Sequence, residues 1–563
     1  MEATHKPAIS DRAWLPFLVI AAASALAHLW CLGSVFFLDD DMQIENNQRV
    51  ISGEFWRSGL TAWTELWYCI QYRLFGVSAP GFHAVNWLLH TAVACALFAF
   101  GRDFLGDRAR WQVALFGAVL FAVHPLGSEI PNYARTQDLA WVTLFSLLAA
   151  WAMLRFLKHG GWMKLLGCAA CVFGATFSKG PGIFHAAMAV GVVGLAFVTV
   201  GHWKIFRRSI WLIAASAMVT LAALWTSGGL AAFLNGISSF GQPRSIGNAY
   251  TLGRVFWGFA WRSVIPVSLS ADHQVAETLV LPGMHFWNVP DSGAMWAVGG
   301  FLALTAIAGF LAWRRSTRLF GACLLLYCGT ILFRVLYPIP EFMPEYRIYP
   351  GLPWFCLGAA IVLHAALRKF TEIPPRVPAV ILVAVFAFMS AKRSFLWHDL
   401  HSLLGDVLQQ YPAQSRAVWE LDERDVKAGN WQHIITRQRT VWPEIFRRFM
   451  EENQRLAPAR ELPSGHFALA EVACRGSYAL ALAHTEGAAA GIREINQQEI
   501  YMKRLGLDPK AHAIHWGYFF YNKAMVLEVA GQHDEAIALL ERKEVPRIGK
   551  LALKRLKEMP AAR

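Results

Sequence analysis

"FFLDDDMQIENNQ", Phe36 to Gln48, follows directly on the first long apolar run of the chain. It places three aspartates in a row, Asp39, Asp40 and Asp41. Like charges this close repel, and the edge of a bilayer is a costly place to hold them. The apolar run before them, from Trp14 to about Val35, is as long as a membrane span. It is too long for the core of a signal peptide, and no small-residue cleavage site follows, so it reads as a retained span. The fold and the chemistry both turn on why acids stand at the end of it.

Working outward, the rest of the chain repeats the pattern. Of 563 residues, 55% are hydrophobic and 16% are charged, fewer charges than a soluble protein of this size carries. Apolar runs cover roughly 14–35, 82–101, 112–127, 138–157, 164–178, 182–200, 209–228, 294–312, 319–337, 350–367 and 377–395. The expected fold is all-α: a polytopic membrane helix bundle of about eleven spans, followed by a helical tail.

Charge tests the count, because cytoplasmic loops are rich in Lys and Arg. With the N-terminus inside, the inner loops carry Arg102, Arg108 and Arg110; Arg155, Lys158 and Lys164; Lys204, Arg207 and Arg208; Arg314, Arg315 and Arg318; and Arg368, Lys369 and Arg376. Lys392 and Arg393, near the outer end of the last run, break the rule. The net charge of +13 is then mostly topology, and a nucleic-acid partner is excluded because the cations are dispersed among apolar runs. Cys168 and Cys171 lie in an apolar helical run rather than a zinc knuckle. Cys69 and Cys474, both expected outside, are the candidate pair for a bridge.

An odd number of spans sends the C-terminus to the outer side. The expected domains are a membrane domain over 1–395, with large outer loops at 36–81 and 229–293, and an extracytoplasmic domain over 396–563. In the second loop, "NAYTLGRVFWGFAWRSVIP" spaces Phe, Trp and Val residues as an amphipathic interfacial helix does. In the tail, "FYNKAMVLEVAGQHDEAIALLER" sets Ala524, Leu527, Gly531, Ala536 and Leu540 at the packing positions of a tetratricopeptide repeat. A second copy precedes it and a weaker one falls in 405–440, which predicts a short TPR-like solenoid. An irregular helical cap is the plainer alternative.

Ionisable residues beside spans are functional candidates. Here they gather at one end of the helices. His83, Asn86 and His90 share a helix face in "GFHAVNWLLH". His124 and Glu129 stand in "FAVHPLGSEIPNYARTQDLAW", with Arg135 and Asp138 behind them. Lys179 ends a run in "FSKGPG", and Glu341, Glu345, Arg347 and Tyr349 crowd "PIPEFMPEYRIYP". Each has a structural alternative. The histidines can be packed and hydrogen-bonded, Asp41 can cap a helix, His124-Pro125 can end a span, the glutamates can pair with arginines, and Lys179 can snorkel. Their combination favours chemistry on an anionic, phosphate-linked substrate. Cations bind the phosphate leaving group, and a carboxylate takes the proton from an attacking hydroxyl. The first-loop acids are then the base, and Lys179 and Arg347 the phosphate clamp.

The order "F-x-x-DD" with Ile44 and Asn47 downstream, then "GFHAVNWLLH", "FAVHPLGSE", "SKGPG" and "EYRIYPGLP", resembles the GT-C glycosyltransferases. It is most similar to the transmembrane and tetratricopeptide-repeat-containing O-mannosyltransferases and their bacterial relatives. The resemblance implies an inverting transferase with a polyprenyl-phosphate sugar donor and a catalytic acidic pair at Asp39 and Asp40. Together with the charge reading above, it points to donor phosphate binding by Lys179 and Arg347, with supporting roles for Asp41, Asn47, His83, Asn86, His90, His124, Glu129, Arg135, Asp138 and Glu345. Asp41 is an extra acid, Gly180 stands where that family has Glu, and Tyr346 separates Glu345 from Arg347. These departures point to a diverged bacterial member in the inner membrane and leave the sugar open.

The expected acceptor is a hydroxyl of protein Ser or Thr, with the tail as a polypeptide-binding surface and membrane lipids around the bundle. A surface glycan or lipid acceptor is the alternative, and a noncatalytic scaffold whose tail recruits partners is another. A transporter would show internal repeats and charges near the midplane, and neither is evident. No cofactor is expected, although Asp39, Asp40 and Asp41 together could hold a divalent ion.

Overall fold

The computed structural model describes residues 14–37, 39–106, 111–198, 243–273, 292–336, 343–370, 376–411, 414–447, 451, 466–504, 506–509, 512–542 and 545. It contains helices and turns, with no strand among the described residues. The chain divides into two compact units, residues 1–269 with 286–400, and residues 270–285 with 401–563.

The first unit opens with α1 (Leu15–His28), which continues as a 3₁₀ turn to Gly33. The first loop carries α2 (Gln48–Ser52) and α3 (Ala62–Phe75). Then come α4 (Ala79–Leu105), α5 (Trp111–Ala122), α6 (Glu129–Asn132), α7 (Gln137–His159), α8 (Trp162–Ser178) and α9 (Gly182–Val198). After the undescribed stretch, which holds the expected span at 209–228, follow α10 (Pro243–Val264), α11 (Ser292–Trp313), α12 (Arg318–Leu336), α13 (Leu352–Phe370) and α14 (Arg376–Leu396).

Among the described residues, six helices are long and apolar enough to cross a membrane, or seven if one bent pair counts as a span. Three further apolar helices, including α8 and α9, are shorter. The windows of α4 and α7 are 61% and 67% buried and that of α11 only 17%, so α4 and α7 form the centre of the unit and α11 lies at its edge. At 27 residues, α4 extends about 40 Å, more than a hydrocarbon core requires. Pro80 fits its first turn, where no helical N–H partner is lost, and Gly106 closes it at φ +71°.

The third expected span is not one straight helix. It breaks at Val123–His124, and the chain resumes 55° away. Pro125 supplies no N–H, and His124 Nδ1 instead accepts from Leu126 N at 3.2 Å. The break turns Glu129 to Arg135 into the polar end of the bundle.

The amphipathic helix expected in the second outer loop is α10. It buries Leu252, Val255, Phe256 and Phe259 against α11 and α12, and exposes Trp257, Trp261 and Val264. Cys69 and Cys474 are both free and buried.

The second unit begins with α15 (Leu400–Gln410), α16 (Ser415–Ala428) and α17 (Trp431–Thr440). Two helix pairs follow: α18 (His466–Thr485) with α19 (Ala488–Arg504), and α20 (Ala513–Val529) with α21 (His533–Glu541). Ala524, Ala536 and Leu540 are fully buried in one apolar cluster, and Leu527 packs on it. Gly531 makes the turn between α20 and α21 at φ +74°. The pairs begin at His466 and Ala513, a wider interval than the roughly 34 residues of a tetratricopeptide repeat.

Candidate functional site

The first loop is built on a small apolar floor. Phe36, Ile44, Val50, Tyr68, Phe82 and Ala134 form one buried cluster. Ile44 reaches it because a π-turn over Asp41–Glu45 tightens the chain, with Gln43 N donating to Asp39 O at 2.8 Å. Asn47 caps α2, its Oδ1 accepting from Arg49 N at 3.1 Å, and its Nδ2 donates to Gln43 O at 3.0 Å. The carboxylates are thereby held at one edge of the floor. Asp41 opens the π-turn, and its side chain lies outside the described residues.

Asp39 and Asp40 have different environments. Asp40 is fully buried, and both its oxygens accept backbone N–H groups: Oδ2 from Phe37 at 2.9 Å and Oδ1 from Arg135 at 2.7 Å. Burial pushes its carboxyl up to about 7, against the opposing pull of those two hydrogen bonds and the Arg135 charge. Asp39 keeps a quarter of its side chain exposed and pairs with Arg135, Nη1 to Oδ2 at 2.9 Å. Its backbone N–H donates to the Tyr133 hydroxyl at 3.3 Å. Asp40 fastens the loop, and Asp39 is the acid of the two that solvent reaches.

Arg135 connects this edge to a second pair. Lys179, in the turn after α8, lies 2.6 Å from Asp138 Oδ2 on the first turn of α7. Arg135 feels the charges of both Asp39 and Asp138. Lys179 in turn feels the cations of Arg135 and Arg347. Three cations from three distant segments therefore share one polar region. Asp138 Oδ1 is buried with no hydrogen-bond partner.

The third part is the segment before α13. Glu129 Oε2 accepts from Tyr346 N at 2.8 Å, and Glu345 forms an ion pair with Arg393 at 2.6 Å. Both glutamates are buried, as is Arg393. Arg347 lies over the Tyr346 ring, 5.7 Å from its centroid. Glu341 lies outside the described residues.

The remaining expected residues support the scaffold. Asn86 Nδ2 reaches the carbonyls of Ile130 and Tyr133, each at 2.9 Å, and that of Ala134 at 3.3 Å. His83 Nδ1 meets Pro131 O at 3.0 Å. His90 sits between the Tyr349 hydroxyl at 2.8 Å and Ala122 O at 3.2 Å. His124 Nε2 meets Ser263 O at 3.0 Å. All four side chains are fully buried; Asn86 and His83 fix the irregular backbone just before Arg135, and His90 and His124 hold the break before it.

Sequence reasoning missed Arg393 and Tyr133. Arg393 had surfaced only as a breach of the inner-cation rule. Its burial against Glu345 explains the breach: it belongs to the polar network, not to a flanking loop. Tyr133 stacks on Trp397 and its hydroxyl accepts from the Asp39 backbone N–H, and no spacing in the sequence signals it.

No protein-family model matches the chain. The chain is similar to a protein O-mannosyl-transferase of Caenorhabditis elegans, with 24% identity over 459 residues. The matched region covers 74% of this chain and 62% of that relative, so the chain spans less than two thirds of the relative's length. Over most of its length, then, the chain is similar to a protein O-mannosyl-transferase.

Proposed function

We propose that this integral membrane protein is a glycosyltransferase of GT-C type. It moves a monosaccharide from a polyprenyl-phosphate donor to a hydroxyl of protein Ser or Thr on the outer side of the membrane. The observation that carries this reading is Asp39, a partly exposed carboxylate held by Arg135 within the same polar region as Lys179 and Arg347.

In the reaction, Asp39 accepts the proton of the acceptor hydroxyl as its oxygen attacks the anomeric carbon. The bond from that carbon to the phosphate oxygen breaks on the opposite face, and polyprenyl phosphate leaves with the electron pair, so the configuration inverts. Lys179 and Arg347 bind the phosphate and stabilise the charge that grows on it. Arg135 orients Asp39, and Asp40 fixes the loop. The reading draws on no metal; both Asp40 oxygens accept backbone amides and Asp39 Oδ2 pairs with Arg135.

The outer location rests on the helix ends. α7 starts at the site with Asp138 and ends with Lys158 and His159, the cation-rich end that cytoplasmic loops favour. The paired helices of the tail support a TPR-like surface for an extended polypeptide.

The test is transfer by the purified protein from a panel of polyprenyl-phosphate sugars, mannose first, to Ser/Thr peptides, read by mass spectrometry. Hexose on a peptide hydroxyl supports the reading. Transfer only to a glycan or lipid extract changes the acceptor. Donor turnover equal in wild type and Asp39→Asn removes the mechanism.

A further inference from the structure

The second unit contains a cluster that the transferase reading does not use. His401 on α15, Asp425 on α16 and His433 on α17 bring one ligand atom each to within 4.8 Å of one another. His401 Nε2 lies 3.2 Å from Asp425 Oδ1, and His433 Nδ1 lies 3.6 Å from the same oxygen. A tetrahedral ion with bonds of about 2.0–2.1 Å places its ligands about 3.3–3.4 Å apart. A charge-assisted imidazole–carboxylate hydrogen bond is shorter, about 2.7–2.9 Å. The His401 edge is also compatible with a direct hydrogen bond, the His433 edge is too long for one, and both lie close to the ligand spacing of a shared ion.

The surroundings prepare the carboxylate for this role. Asp425 is fully buried, and its other oxygen, Oδ2, is held by Arg437 Nη2. Asn430 Nδ2 donates to Oδ1 at 3.1 Å, which fixes the direction in which that oxygen can accept a further partner. Arg437 Nε also binds Asp422 Oδ1 at 2.8 Å, and Gln438 Nε2 binds Asp422 Oδ2 at 2.6 Å. Two buried carboxylates thus share one guanidinium, and the charge left over faces the two imidazoles. The imidazole side chains are 46% and 65% exposed, so an ion can enter from solvent.

We propose that His401, Asp425 and His433 form a binding site for a divalent transition ion of the zinc class, which cross-links α15, α16 and α17. Two imidazoles and one monodentate carboxylate make a three-ligand set with a fourth position open to water. Asn430 and Arg437 are its supporting shell. The ion adds a tie among three helices, two of which already share the Arg437 network, and it stabilises the folded unit by mass action.

The test uses the full-length protein, purified in detergent without a polyhistidine tag and stripped with a chelator. Zinc is titrated against a chromophoric competitor, and cobalt is added in parallel. The proposal expects one tight equivalent of zinc, a cobalt absorption band of low-symmetry tetrahedral type, and a rise in the unfolding temperature. His433→Ala and His401→Ala each weaken zinc at least about tenfold and abolish the cobalt band. His433→Gln, at the more exposed position, serves as the variant that keeps the fold, checked by helix content. Stoichiometric zinc that survives both alanine variants belongs elsewhere and overturns the proposal. Absence of a cobalt band in folded wild type overturns it as well.

Discussion

Arg135 binds Asp39 through its side chain, Nη1 to Oδ2 at 2.9 Å. Its backbone N–H, on the same residue, donates to Asp40. One residue thus grips two adjacent acids by different means. Asp39→Asn is expected to lower transfer at least ~100-fold, the size of a lost general base, with donor binding unchanged. Parallel turnover and donor-binding measurements on the folded variant check this.

Asp40 carries a pH signature. Its folded carboxyl is raised to about 7, so the folded state holds a proton that the unfolded chain releases near 4. Stability is therefore expected to fall as pH rises from about 4 through 7, by a few kcal/mol at most. Asp40→Asn should flatten that slope. It also turns an amide N–H₂ toward a backbone donor, at a cost of about 1–3 kcal/mol. Unfolding temperature against pH, for both proteins, checks the sign.

Lys179 and Asp138 are a partly buried pair, so removing one strands the other. Lys179→Ala is expected to weaken donor binding about tenfold or more and to lower stability. Adding Asp138→Asn should restore stability without restoring donor affinity. Donor titration beside thermal unfolding separates these effects, which a purely structural lysine would not split.

Glu345 and Arg393 are both buried. Arg393→Ala takes the buried guanidinium away from the Glu345 carboxylate and should cost roughly 3–5 kcal/mol. The double variant Arg393→Met with Glu345→Gln should be milder, and a double-mutant cycle on unfolding measures the coupling.

Much of this was legible in the chain. Apolar length predicts the helices, and the polar residues at their ends predict which segments carry the site. Ile44 and Asn47 were readable as spacing, and the structure gives the reason: one anchors the loop floor and the other caps α2. The division of labour between Asp39 and Asp40 was not legible, because identical side chains one residue apart differ only in what folds over them. At His124-Pro125 the sequence marked a place where the span can end, but not the 55° turn nor the segment it redirects. Arg393 was visible as an anomaly, and only its long-range partner explains it. The His401, Asp425 and His433 cluster joins three helices at no recognisable ligand spacing, so it emerges only in three dimensions.

The most direct test of the central claim is release of free polyprenyl phosphate from polyprenyl-phosphate mannose by purified wild type and Asp39→Asn. Both are assayed with and without a Ser/Thr peptide acceptor. The account predicts acceptor-dependent release by wild type and loss of that release in Asp39→Asn, while the variant still binds donor. Equal release by the two proteins would contradict it.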